Sequence, residues 1–153
     1  MYAERWAPAP VGPLCVYLHG VHDPGNVGAV LRSAEAFGAA SVALGPGTAD
    51  PFGPKAVRAS MGAVFAVPLV KADGIDELPG ETVALVADRG VPLHDLKPHD
   101  VTVLVGSERD GLPEEVVQRA DYVAHIPIQT HSLNAAMAAT VALYELRTRM
   151  PNA

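Results

Sequence analysis

Three short stretches of this 153-residue chain hold most of the polar residues that could do chemistry. Each lies where an apolar run gives way to a loop. The first, His22-Asp-Pro-Gly-Asn-Val-Gly-Ala-Val-Leu-Arg32, sets a Pro-Gly turn ahead of Asn26, Gly28 and Arg32. It has two readings. In one, Asn26 is the N-cap of a helix and Arg32 is simply solvated. In the other, small residues at the positive helix end admit a phosphate, which Arg32 clamps with a charge-assisted hydrogen bond.

The second stretch, Val105-Gly-Ser-Glu-Arg-Asp-Gly-Leu-Pro113, follows an apolar run of strand length. Gly106 and Gly111 let backbone approach a ligand closely, and Glu108 could accept a ligand hydroxyl or amine. An ordinary turn with a surface carboxylate would read the same. The third, Ile126-Pro-Ile-Gln-Thr-His-Ser-Leu-Asn134, opens a long helix. Ser132 is the expected N-cap. Asn134 would then sit in the first turn, where its helix propensity is poor, so a hydrogen-bonding task is expected of it.

Other chemistries lack their residues. There is no Walker lysine, no G-x-G-x-x-G and no G-x-S-x-G. The six histidines have neither cysteine partners nor an H-E-x-x-H spacing, so no metal site is expected. Cys15 lies within an apolar run and reads as packing rather than as a nucleophile.

The elements that must position these stretches alternate. Apolar runs at Leu14–Leu18, Ser41–Leu44, Val64–Val70, Thr82–Ala87, Val101–Val105 and Tyr122–Ile128 read as strands. Helices are expected from Asn26 to Phe37, stopped by Gly38, near Lys55–Ser60, from Pro113, and from Leu133 to about Arg149. Strands alternating with helices predict an α/β fold, a mostly parallel sheet with helices on both faces. Ligands of such sheets sit at the carboxyl ends of the strands.

Composition bounds the rest. The chain is 49% hydrophobic and only 18% charged, with a formal charge of −6. The hydrophobicity excludes disorder. No window of about 18 apolar residues escapes interruption, which excludes a transmembrane helix. A single cysteine excludes disulfide stapling and fits a reducing cytoplasm. The acidic balance gives no electrostatic sign of nucleic-acid binding, which usually shows as a basic footprint. The last helix is rich in alanine and has few wet faces before Glu145, a pattern suited to packing against a second copy of the chain.

In their order and spacing, the three stretches resemble the motifs of the SpoU (TrmH-like) branch of the SPOUT methyltransferases. Asn26, Gly28 and Arg32 with Phe37-Gly38 match N-x-G-x-x-x-R followed by F-G. Gly106, Glu108, Gly111, Leu112-Pro113 and Ile126-Pro127 match G-x-E-x-x-G-L-P followed by I-P, and Ser132-Leu133-Asn134 matches the S-L-N helix start. Arg58-Ala-Ser60-Met-Gly62-Ala also looks like the family. The likeness covers about residues 14–148, and the loop from Pro127 to His131 is shorter than in many relatives.

The resemblance implies methyl transfer from S-adenosylmethionine to a ribose 2′-hydroxyl of RNA, with rRNA favoured over tRNA. It implies a parallel sheet ending in a deep trefoil knot, and a homodimer with no metal and no membrane. The cofactor would lie against Leu104, Gly106, Gly111, Ile126, Ile128 and Leu133. Arg32 would be the central catalytic residue, arranged by Asn26, Glu108, Ser132 and Asn134. A guanidinium hardly deprotonates, so Arg32 is expected to grip a phosphate and polarise the hydroxyl rather than act as a base. With a net negative chain, RNA contact is expected from a local cluster of Arg32, Lys55, Arg58 and Arg109. Residues 1–13 read as a proline-rich lead-in or linker before a catalytic domain over 14–153. The chain is then either a minimal member or the catalytic part of a longer protein. A non-catalytic RNA-binding or assembly module, or a base-nitrogen methyltransferase, are the alternatives.

Overall fold

The computed structural model describes residues 4–150. Seven strands form one sheet: β1 Leu14–Leu18, β2 Ser41–Leu44, β3 Leu69–Lys71, β4 Glu81–Leu85, β5 Val91–Pro92, β6 Val101–Val105 and β7 Tyr122–His125. Four helices join them: α1 Pro24–Ala36, α2 Pro54–Ser60, α3 Glu114–Arg119 and α4 Ala135–Arg149. The strand order is β3-β2-β1-β6-β4-β7-β5, and every pairing is parallel. The α/β fold and its parallel sheet are as the alternation predicts.

Side-chain alternation along the strands divides the core. Leu14, Val16 and Leu18 join Val27, Val30 and Leu31 of α1 and Ala139, Leu143 and Leu146 of α4 in one apolar cluster. Cys15 and Tyr17 point the other way, joining Leu104 and, from α3, Val116 and Val117. Both faces are therefore covered, one by long helices and the other by short α3. Burial pushes the Cys15 thiol up from its ordinary pKa, in keeping with a packing role. Register brings the carboxyl ends level: Leu18 pairs with Val105, Leu104 with Ala84 and Leu85 with Ala124. The loops after β4, β6 and β7 consequently emerge side by side.

Several boundaries differ from expectation, each for a local reason. α1 starts at Pro24 rather than Asn26, and its N-cap is Asp23, whose Oδ1 accepts from the Gly25 N–H at 2.8 Å. Proline suits a first helical position, so the cap falls on the residue before it. Pro113 is itself the cap residue of α3, which begins one residue later than expected. The N-cap of α4 is Asn134, not Ser132, and the helix begins at Ala135 instead of Leu133. Asparagine is thus at a position it favours, and the supposed cost of a first-turn Asn disappears. The apolar run Val64–Val70 is no single strand: it splits into a 3-10 turn over Ala63–Phe65 and β3, interrupted at Pro68. β7 stops at His125, two residues short of Pro127.

The lead-in is docked where it is described. Trp6 forms a parallel bridge with Leu69, and the Ala7 N–H donates to the Leu69 carbonyl at 2.7 Å. The indole meets Phe52 edge-on at 5.1 Å, with the Lys71 ammonium 4.8 Å above it. Residues 1–3 of the expected linker lie outside the described residues.

Candidate active site

The level carboxyl ends of β4, β6 and β7 surround a cavity of about 600 Å³. Gly106, Gly111, Ile126, Ile128 and Leu133, all expected to touch a cofactor, line it, as do Glu108, Arg109 and Ser132. Leu104 does not: its side chain is fully buried among the α3-side core residues, and Val105 takes the place at the wall. Gly106 is required by close approach. A Cβ there would lie 2.3 Å from the Gly111 carbonyl carbon and 2.4 Å from the Leu112 nitrogen, so the loop folds flat on itself only because no side chain intervenes.

Beside the cavity, the three motifs meet through one chain of hydrogen bonds. Asn134 Oδ1 accepts from the N–H groups of Ala136 at 2.8 Å and Met137 at 3.2 Å, capping α4. Its Nδ2 donates to Asn26 Oδ1 at 3.2 Å, and Asn26 Nδ2 in turn donates to Glu108 Oε1. Both amides are oriented by this sequence of donors and acceptors. The Glu108 carboxylate is thereby held through two side chains on the first turn of α4. α1 and α4 are also tied about two turns on, where the hydroxyls of Ser33 and Thr140 lie 2.5 Å apart and Thr140 donates to the Ala136 carbonyl at 2.7 Å.

Arg32 is exposed on α1, and among the described residues nothing bonds to its guanidinium. It is available to an external anion. The amino-terminal end of α1, however, is not the open phosphate cradle that one reading of the sequence allowed. Asp23 puts its carboxylate on the Gly25 N–H, and the space beside Gly28 is filled by α2. A Cβ on Gly28 would lie 2.4 Å from the Ala56 carbonyl oxygen and 2.6 Å from Ala59 Cβ. Gly28 therefore serves helix–helix contact.

The expected basic cluster divides. Lys55 and Arg58 are exposed on α2, the Lys55 ammonium 3.8 Å from Asp23, whereas Arg109 belongs to the cavity wall. The turn after β4, Leu85–Arg89, also lines the cavity and was missed by motif reasoning. Its position after an apolar strand was the available signal, since ligands gather at strand carboxyl ends. Arg89 from this turn grips Glu114 from α3 with two parallel bonds of 3.0 and 2.5 Å across the lining. That fork holds the Glu114 carboxyl below the usual range and raises the guanidinium. No group of side chains able to hold a metal occurs among the described residues, and no helix there is long and apolar enough to cross a membrane.

Comparison with known proteins agrees with this geometry. Residues 13–144 match the SpoU rRNA Methylase family. The chain is 34% identical over 139 residues to a Bacillus subtilis (strain 168) protein named 23S rRNA (guanosine(2553)-2′-O)-methyltransferase RlmP, covering 85% of this chain and 56% of that one. A crystal structure described as AdoMet-bound rRNA methyltransferase from Sinorhizobium meliloti superposes with a TM-score of 0.87 at 36% identity, covering 95% of this chain and 61% of that one. A structure described as giving insight into 2-OH methylation of C/U34 on tRNA superposes with a TM-score of 0.80 at 31% identity, covering 90% of this chain and 97% of that one. The chain spans about half the length of the first curated relatives it matches, from 29% to 56%.

Proposed function

The chain belongs to the SpoU rRNA methylase family, and from that membership we propose that it methylates a ribose 2′-hydroxyl of RNA, with rRNA as the favoured substrate. The observation that carries the reading is the bonded series Asn134–Asn26–Glu108, which draws all three motifs to one edge of the cavity. A site no longer used would have little cause to keep every member of that series along with Arg32.

The cavity suits S-adenosylmethionine. Its volume falls within the roughly 300–1,000 Å³ of small-molecule sites, and its wall mixes aliphatic side chains with bare glycine backbone. Ile126, Ile128 and Leu133 would enclose the adenosyl part, and Gly106 and Gly111 would let backbone groups reach it. When bound, the cofactor supplies a methyl group activated on a sulfonium sulfur. The chain's own work is to hold the ribose. Arg32 would bind the adjoining phosphate and donate a hydrogen bond toward the 2′-oxygen, and that positioning supplies much of the acceleration. Asn26 and Asn134 would keep Glu108 in one orientation at the wall. Ser132, on the cavity side of the α4 cap, would contact cofactor or ribose.

Three further features belong to the same proposal. The crossings from β6 through α3 and β7 to α4 are those we assign to the deep trefoil knot. α4 carries an exposed apolar stripe of Met137, Val141 and Tyr144, which we assign to a homodimer. A cytoplasmic setting suits both the RNA substrate and the buried, unpaired Cys15. The test is transfer of radiolabelled methyl from S-adenosylmethionine into total RNA, with the product mapped by resistance to alkali. Label at a 2′-position is expected; label in a base, or none, would overturn the reading. Arg32→Ala should abolish transfer while calorimetry still detects cofactor binding.

A further inference from the structure

We propose that the two-pronged Arg89–Glu114 pair is a clasp for S-adenosylmethionine: by fixing the Leu85–Arg89 turn as one wall of the cavity, it slows release of the bound cofactor. The inference rests on the cofactor reading above and deepens it. Arg89 and Glu114 act through the turn, as positioning residues, and are assigned no contact with the reacting groups.

The turn is held unevenly. At one end the Val86 N–H donates to the Ala124 carbonyl at 2.9 Å, and at the other Val91 pairs with Ala124 in the sheet. Between them Ala87, Asp88 and Arg89 are exposed, and among the described residues they make no backbone hydrogen bond. The two bonds from Arg89 to Glu114, at 3.0 and 2.5 Å, are what ties this span down. Segments whose backbone is exposed and unbonded are the ones that open locally.

The other half of the pair is firmly built. Glu114 opens α3, whose Val116 and Val117 are buried in the core. The loop leading to it is closed on itself: the Gly111 N–H donates to the Ser107 carbonyl at 2.9 Å, and the Asp110 N–H to Ser107 Oγ at 3.1 Å. Arg89 and Glu114 both line the cavity. The fork therefore joins a loose part of the wall to a fixed part, and two parallel bonds set orientation as well as distance. Its side chains are about half exposed, at 49% and 55%, so it adds little to the stability of the fold. Its effect is local, on where the turn stands against a bound ligand.

The experiment measures association and dissociation rates of S-adenosylmethionine by surface plasmon resonance, with melting temperatures taken on the same proteins. Arg89→Gln and Glu114→Gln should each release cofactor about three- to fivefold faster, the scale of one exposed ion pair, with association unchanged within about twofold. Melting temperatures should move by no more than about 3 °C. Because both substitutions break one link, the double variant should release cofactor no faster than the faster single one. Release from the parent chain should also quicken between about 50 mM and about 500 mM salt, and release from the double variant should respond less. Unchanged release in both single variants overturns the clasp. So do multiplied effects in the double variant, or equal gains in both rates, which would make the turn a gate with no hold on the cofactor. A parent chain that binds no S-adenosylmethionine would instead overturn the cofactor reading, and the clasp with it.

Discussion

At the scale of single residues, one asparagine serves stability and geometry with different atoms. Asn134 Oδ1 caps α4, while its Nδ2 holds Asn26, which holds Glu108. Substitution can separate the two tasks. Asn134→Ala removes both, and loss of the cap should cost about 1 kcal/mol, within a range of roughly 0.5–2. Asn134→Asp keeps an equally good cap oxygen but has no N–H to give Asn26. It should melt near the parent temperature and still lose methyl transfer by roughly 10²-fold, the scale of a misplaced reacting group. Full activity in the aspartate variant would show that the amide link is incidental. A second residue-scale prediction concerns His19, whose Nδ1 lies 2.9 Å from the Tyr17 hydroxyl. Burial lowers the imidazole pKa, outweighing the opposite pull of Glu115. The folded state thus favours the neutral ring, able to accept from Tyr17. Its folded pKa lies below the unfolded value near 6.5, so the unfolded chain takes up protons first as acid is added. Stability from this group is full above about pH 6.5 and is lost as pH falls toward the folded pKa. The melting temperature of the parent chain relative to His19→Gln should decline between about pH 7 and pH 5; a constant difference would refute the coupling.

At the scale of elements, the site is made by loops that strand register brings level, and the 106–112 loop is the least tolerant of them. Gly106→Ala would place a Cβ against the backbone of Gly111 and Leu112, which cannot move aside as a flexible side chain would. Overpacking of this kind costs typically 1–3 kcal/mol, and the displaced loop should weaken cofactor binding by about tenfold or more. Gly111→Ala is the comparison. It meets no atom within 4 Å and bears only the strain of φ +67, so its cofactor affinity should fall less. Equal losses in a calorimetric titration would contradict the close-approach argument. These elements also show what could be read from residues alone. β1, β2 and β6 have the bounds their apolar runs predict, because strands buried on both faces are continuous in sequence. The three motifs announced a shared site, and Asn26, Glu108 and Asn134 do meet. The bonds between them were not legible, since they join residues 82 and 108 positions apart and depend on which amide atom faces which. Capping misled for a related reason. Asp23, Asn26, Ser132 and Asn134 are all good cap formers, and only the folded backbone chooses among them. Gly28 looked like access for a phosphate because sequence does not show that α2 fills the space.

At the scale of the whole molecule, the low charge and high apolar content left after the core is built have a visible outlet. Met137, Val141 and Tyr144 recur at helical spacing along α4 and stay between 40% and 58% exposed. Phe37, the C-cap residue of α1, meets the Tyr144 ring edge-on at 5.7 Å and extends the stripe to the end of a second helix. Scattered apolar residues on a surface need no explanation, but this aligned row across two packed helices is the face assigned above, as a proposal, to a homodimer. A second copy of the chain is the occupant that also suits the proposed chemistry, because α1 carries Arg32, proposed to hold the ribose, and ends at its C-cap Phe37 beside the stripe. In a two-fold dimer each contact is made twice, so one substitution near the axis opposes itself. Val141→Glu would set two carboxylates into an apolar seam with no cation to pair them, a costly burial. The wild-type chain should elute at twice the 15.9 kDa of one copy, and the variant at a single copy with its secondary structure intact. If the substrate site is shared between copies, the monomeric variant should lose methyl transfer by at least tenfold. Calorimetry should still detect cofactor, whose cavity is lined within one chain. A wild-type chain that stays monomeric at micromolar concentration would remove the dimer from the proposal. A monomeric variant with undiminished activity would confine the reaction to a single chain.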